Sequence, residues 1–136
     1  MSDIDLILSS LEVAAEKNID ITEPAYKYYF EASPESREMM SHMDHLMRGR
    51  MLSEVINLMM MSDGSDKHEV VRFEVETHMA NGVTPQMYDK ILSAVYLAMR
   101  DSLDGEWTPE FETAWKSQIA RLNNAIESQI ESQTVQ

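Results

Sequence analysis

An all-α fold is what this sequence predicts, and three observations carry the prediction. Apolar residues recur about every three to four positions through most of the chain, which is the spacing of one helix face. No stretch alternates apolar and polar residues as a half-buried strand must. Each of the 4 prolines follows a serine or threonine by one or two residues, the pattern of a helix cap and first turn.

The elements follow in order. "SDIDLILSSLEVAAEK" opens with Ser2 three residues before Asp5, a capping-box start, and carries Ile4, Ile7, Leu8, Leu11, Ala14 and Ala15 at helical spacing. Thr22 and Pro24 begin a second helix through "EPAYKYYFEA", and Ser33-Pro34 begins a short third one. "HLMRGRMLSEVINLMMM" reads as the fourth helix, after which "SDGSD" supplies a break and the cap of a fifth, "DKHEVVRFEVETHMA". Asn81-Gly82 stops that helix in the left-handed conformation glycine adopts at little cost. Thr84-Pro85 and Thr108-Pro109-Glu110 start the sixth helix, to about Ser102, and the seventh, which runs into a polar tail from about residue 128 that is expected to fray.

At 136 residues, without internal repeat or linker, the chain forms one domain large enough to bury a core. The absence of cysteine removes disulfides, thiolate metal sites and cysteine nucleophiles together. "MSDIDLILSS" has aspartates where a secretory signal carries basic residues, and no apolar run approaches the roughly 20 residues that span a bilayer. The expectation is a soluble cytoplasmic protein. A net charge of −13 opposes nucleic acid and anionic membrane surfaces, both of which need a cationic footprint.

The most informative stretch is "THMANGVTPQMY", which sets His78 four residues before Gly82 and ten before Tyr88. Taken with Val83, Pro85 and "LSAVYLAMRDSLDGEWTPEFETAW", it is similar to the last helices of bacterial single-domain globins and the haem domains of flavohaemoglobins. "SLEVAAEKNIDITEPAYKYYFEASPE" and "RGRMLSEVI" extend the resemblance over nearly the whole chain, residues 1–136 then being a single globin domain. It implies seven to eight helices packed around a pocket for haem b, with His78 as the axial iron ligand. A neutral imidazole at a helix end suits that role, since its second ring nitrogen can donate to a nearby carbonyl or side chain. The helix stop at Gly82 lets the backbone pass the edge of a flat ligand, Val83 offers it an apolar contact, and the Tyr88 hydroxyl can tie the region together. On its own, His78 reads more readily as an ordinary partly buried histidine; the surrounding pattern reverses that.

On the other side of the pocket the resemblance assigns Tyr26 as the distal tyrosine, a hydrogen-bond donor to a bound gas. Helical spacing alone cannot choose it from Tyr28, Tyr29 and Phe30. Arg48 falls at the distal polar position, able to reach a ligand, an anion or a haem propionate, or simply to extend into solvent. Leu52, four residues on and hence on the same face, falls at the apolar position above the iron. The chain departs from the family twice: Met40 stands where an aromatic packs on the haem, and Ile130 where flavohaemoglobins place a glutamate near the proximal tyrosine.

The implied function is reversible binding of dioxygen or another diatomic gas, in the manner of oxygen transport. Nitric oxide detoxification would need a separate reductase, because the globin uses up this chain. The alternative is a globin-shaped sensor or interaction module with weak or no haem binding. Of the 12 methionines, those from Met39 to Met61 read as core filling rather than a soft-metal site, their sulfurs being spread around a helix. His42, His45 and His68 read as a metal cluster only weakly. Oligomeric state and any catalytic residue are left open by the sequence.

Overall fold

The computed structural model describes residues 2–61 and 65–134. Seven α-helices, no strand and one short 3-10 turn make up the described residues: α1 (Asp3–Glu16), α2 (Thr22–Ala32), α3 (Pro34–Met39), α4 (His45–Met60), α5 (Ser65–Ala80), α6 (Pro85–Leu103) and α7 (Pro109–Thr134), with the turn at Asp104–Glu106. None of these helices is long and apolar enough to cross a membrane.

The caps explain where the chain turns. Ser2 and Asp5 form the reciprocal capping box, with backbone-to-side-chain bonds of 3.1 and 3.2 Å, so two donors that helix geometry leaves unpaired are satisfied at once. Asp44 caps α4 through the Met47 N–H at 2.9 Å, and Thr108 caps α7 through the Phe111 N–H at 3.1 Å. Helix α2 begins at Thr22 as expected, with Thr22 its first helical residue, and the Thr22 N–H donates to Asp20 Oδ1 at 2.9 Å. An aspartate two residues upstream thus satisfies a donor that the helix start leaves free.

The predicted stop after α5 is present. Val83 N–H donates to the His78 carbonyl at 3.1 Å and Gly82 N–H to the Met79 carbonyl at 3.1 Å, while Gly82 sits at φ +90°. This double closure pairs two orphan carbonyls of the helix end and requires a residue tolerant of positive φ. The break proposed at "SDGSD" falls largely on residues 62–64, outside the described residues; α5 begins at Ser65.

Helix α6 forms the centre of the core. It buries Ile91, Leu92, Ala94, Val95, Ala98, Met99 and Leu103, packing against α2 and α7, and α1 lies along α7. Where α1 meets α7, Trp115 is fully buried and its indole N–H donates to Ser10 Oγ at 3.0 Å, so a large apolar surface is covered without orphaning the ring nitrogen. Helix α7 also steadies its neighbours through amides. Gln118 Nε2 donates to the Met59 carbonyl at 2.8 Å, pairing one of the free carbonyls at the end of α4. Residues 128–134 continue the helix rather than fray, because Gln129 is buried with its amide 3.2 Å from the His68 ring and Ile130 packs on the core.

Candidate functional site

Between the α3–α4 segment and helices α5 and α6 lies a cavity of about 600 Å³, within the range of small-molecule and cofactor sites. Helix α4 lines it with Met47, Met51, Val55 and Leu58; α5 with Val71, Glu74, Val75 and His78; α6 with Tyr88, Ile91 and Leu92; α7 closes it with Leu122 and Ile126. A lining this apolar favours a ligand that is itself largely apolar.

The polar groups of the α5–α6 wall are few and specific. His78 Nδ1 lies 2.7 Å from the Glu74 carbonyl, which can only accept, so Nδ1 carries a hydrogen, and in the neutral imidazole the lone pair is on Nε2. The His78 side chain is 35% exposed. Its ring stands edge-on to Tyr88 at 6.4 Å between centroids. The Tyr88 hydroxyl is buried and has no hydrogen-bond partner. Burial, then the negative charge of Glu74, pushes the Tyr88 phenol up to about 12, so it stays a neutral donor at physiological pH. A buried donor without a partner is destabilising unless something arrives to accept from it. Val83 and Met40 also line the cavity, Met40 being 7% exposed.

The other predicted residues lie one layer back. Tyr26 is 1% exposed, outside the cavity lining, and its hydroxyl donates to the Arg48 carbonyl at 3.0 Å. Burial pushes this phenol up to about 12 as well. The Arg48 guanidinium stacks over the rings of Tyr26 and Phe30, 5.6 and 5.2 Å from their centroids, with Nε buried and unpartnered. Leu52 is core. Arg48 and Leu52 do share a face, but the face turned to the cavity is the neighbouring one, through Met47, Met51 and Val55; a single position turns the side chain by about 100°. From α2 it is Tyr29 that lines the cavity, its hydroxyl accepting from Ser36 Oγ at 2.8 Å. Glu74, Arg50, Glu54 and the Met47–Met51 pair are among the lining residues that the motif reading passed over. Glu74 was visible in principle, as an acidic residue one turn before the histidine.

The remaining histidines do not gather. His42 lines the cavity, His45 is exposed with Nδ1 2.9 Å from Glu23 Oε1, and His68 faces Gln129. Among the described residues no three His, Asp or Glu side chains are grouped for a metal ion. Of the methionines read as core filling, Met40 and Met59 belong to the core, and Met39, Met40, Met43, Met47 and Met51 also line this one cavity, because α3, its exit and one stripe of α4 border the same space.

The described residues form an all-helical domain with an apolar, cofactor-sized cavity and one imidazole nitrogen left unbonded at its wall, and residues 21–126 match the globin family. The chain belongs to that family, which implies haem-based binding of diatomic gases. It is also 25% identical over 114 residues to "Flavohemoprotein B" of Dictyostelium discoideum, covering 82% of this chain and 27% of the relative. The chain thus spans about a quarter of that relative's length. The match is to globins as a class and singles out no bacterial branch.

Proposed function

We propose that this chain binds haem b in the α4–α5–α6 cavity through His78 Nε2 and reversibly holds dioxygen or another diatomic gas. The observation that carries the reading is the state of His78: Nδ1 fixed by a backbone acceptor, Nε2 unbonded, at the helix stop beside an apolar cavity. The orphaned Tyr88 hydroxyl and the apolar lining also fit such a group. Bound there, haem supplies an iron centre that takes up the gas. Val83 and Met40 provide apolar contact, and Tyr88 holds the region beside the ligating histidine. Tyr26, Arg48 and Leu52 enter as the layer behind the α4 wall. The Tyr26 hydroxyl reaches a gas molecule only by releasing the Arg48 carbonyl.

Likeness to a protein named as a flavohemoprotein supports a further step, nitric oxide detoxification with electrons delivered by a separate flavin reductase. We place the protein in the cytoplasm, where such a reductase would meet it.

The test is the visible absorption spectrum of haem-loaded protein, ferric, ferrous and ferrous with carbon monoxide, beside His78→Ala. A stoichiometric Soret band with a histidine-ligated carbon monoxide form, lost on substitution, is the expected result. A wild type that cannot be loaded, or a variant with an unchanged spectrum, overturns the assignment.

A further inference from the structure

Glu74 stands one turn before His78 on α5, and both side chains line the cavity. Two of its oxygens face one nitrogen: the backbone carbonyl at 2.7 Å from His78 Nδ1 and carboxylate Oε2 at 3.3 Å. The carbonyl acceptor belongs to the helix and would be supplied by any residue at this position. The carboxylate belongs to this sequence. Its side chain is 26% exposed, so its charge acts on the imidazole across a short and partly dried gap rather than through bulk water. The next polar group along the wall, the Tyr88 hydroxyl, has no partner of its own and does not neutralise it.

We infer that Glu74 is the charged positioning residue of the proximal side, supplying from within α5 the carboxylate that sets how strongly His78 donates to whatever it ligates. The inference rests on the haem reading above. An imidazole whose N–H points at an anion is a more basic ligand than one pointing only at an amide carbonyl, since charge-assisted hydrogen bonds are roughly twice as strong as neutral ones. A more basic ligand beside a fixed negative charge favours the more oxidised metal. In the resting geometry Nδ1 bonds the carbonyl at 2.7 Å, and the carboxylate at 3.3 Å acts on the ring through its charge. In this assignment Glu74 acts through His78.

The experiment compares haem-loaded wild type with Glu74→Gln, reading the midpoint reduction potential and the ferrous iron–histidine stretching frequency by resonance Raman. Glu74→Ala, which also keeps the helix, is a second carboxylate-free variant. Glu76→Gln removes an exposed carboxylate from the same helix and controls for general charge. Both Glu74 variants are expected to raise the potential and lower the stretching frequency, with Glu76→Gln moving neither by a comparable amount. Equal potentials and frequencies in wild type and both Glu74 variants overturn the inference and leave the haem reading intact. A wild type that takes up no haem through His78 overturns both.

Discussion

The α1–α7 junction and the cavity treat their polar groups in opposite ways. Around Trp115 the polar atoms of the core are paired: the indole with Ser10, the Gln118 amide with Met59, and nearby Tyr96 and the Trp107 indole with Glu112 at 2.7 to 2.9 Å. Around the cavity the pairing is incomplete. Tyr29 accepts from Ser36, but Tyr88 Oη in the lining and Arg48 Nε in the layer behind it are buried without partners, and His78 donates from one nitrogen while the other stays unbonded. A chain that pairs its buried polar groups in one region and leaves them open in another marks the second as a place where something else binds, since each orphan costs about 1–3 kcal/mol in the isolated protein.

That contrast can be broken most sharply at the junction. Trp115→Ala leaves a large buried void and strips Ser10 of its donor; unfolding in denaturant should show a loss of about 3–5 kcal/mol. A loss under about 1 kcal/mol would mean that the junction is loose and the comparison empty. At the cavity the sign should reverse. Tyr88→Phe removes an unpaired buried hydroxyl and keeps the ring, so the haem-free protein should gain about 1–3 kcal/mol. A melting temperature that falls instead shows that the hydroxyl has a partner in solution.

Tyr26→Phe separates two roles by a smaller margin. Losing the bond to the Arg48 carbonyl should reduce stability by about 0.5–1.5 kcal/mol while leaving gas affinity within about twofold. An affinity falling several-fold, read by ligand titration of the reduced protein, would show the phenol swinging into the cavity. The smallest effect lies in acid. Tyr96 and then Trp107 donate to Glu112 and hold its carboxyl down at about 2. A depressed carboxylate stabilises the fold above its unfolded value, and that contribution fades as pH falls through the folded one. The melting-temperature advantage of wild type over Glu112→Gln should thus be full above about pH 4.5 and vanish towards pH 2.

The same contrast governs what the sequence makes legible. Caps, prolines and the Asn81-Gly82 stop are local chemistry, so helix order and the setting of His78, Val83 and Tyr88 can be read from a few adjacent letters. Rotation of a helix about its own axis is not local. Choosing between Arg48–Leu52 and Met47–Met51 as the cavity face needs the packing of α4 on its neighbours, because both pairs obey the same four-residue spacing. Tyr26 and Tyr29 pose the same ambiguity on α2, three positions apart within an aromatic cluster. The extension of α7 through Gln129 was hidden for a related reason: a polar tail looks solvated until a buried histidine-facing amide is known.

The turn at Gly82 sets its own limit on sequence. A Cβ built there would meet the Met39 methyl at 3.7 Å, an ordinary contact, so it is φ +90° and not crowding that resists any other residue. The constraint is therefore one of backbone conformation and lies in the turn itself. A substitution at position 82 is expected to strain the exit from α5 whatever side chain stands at position 39, and a change at 39 needs no answering change at 82.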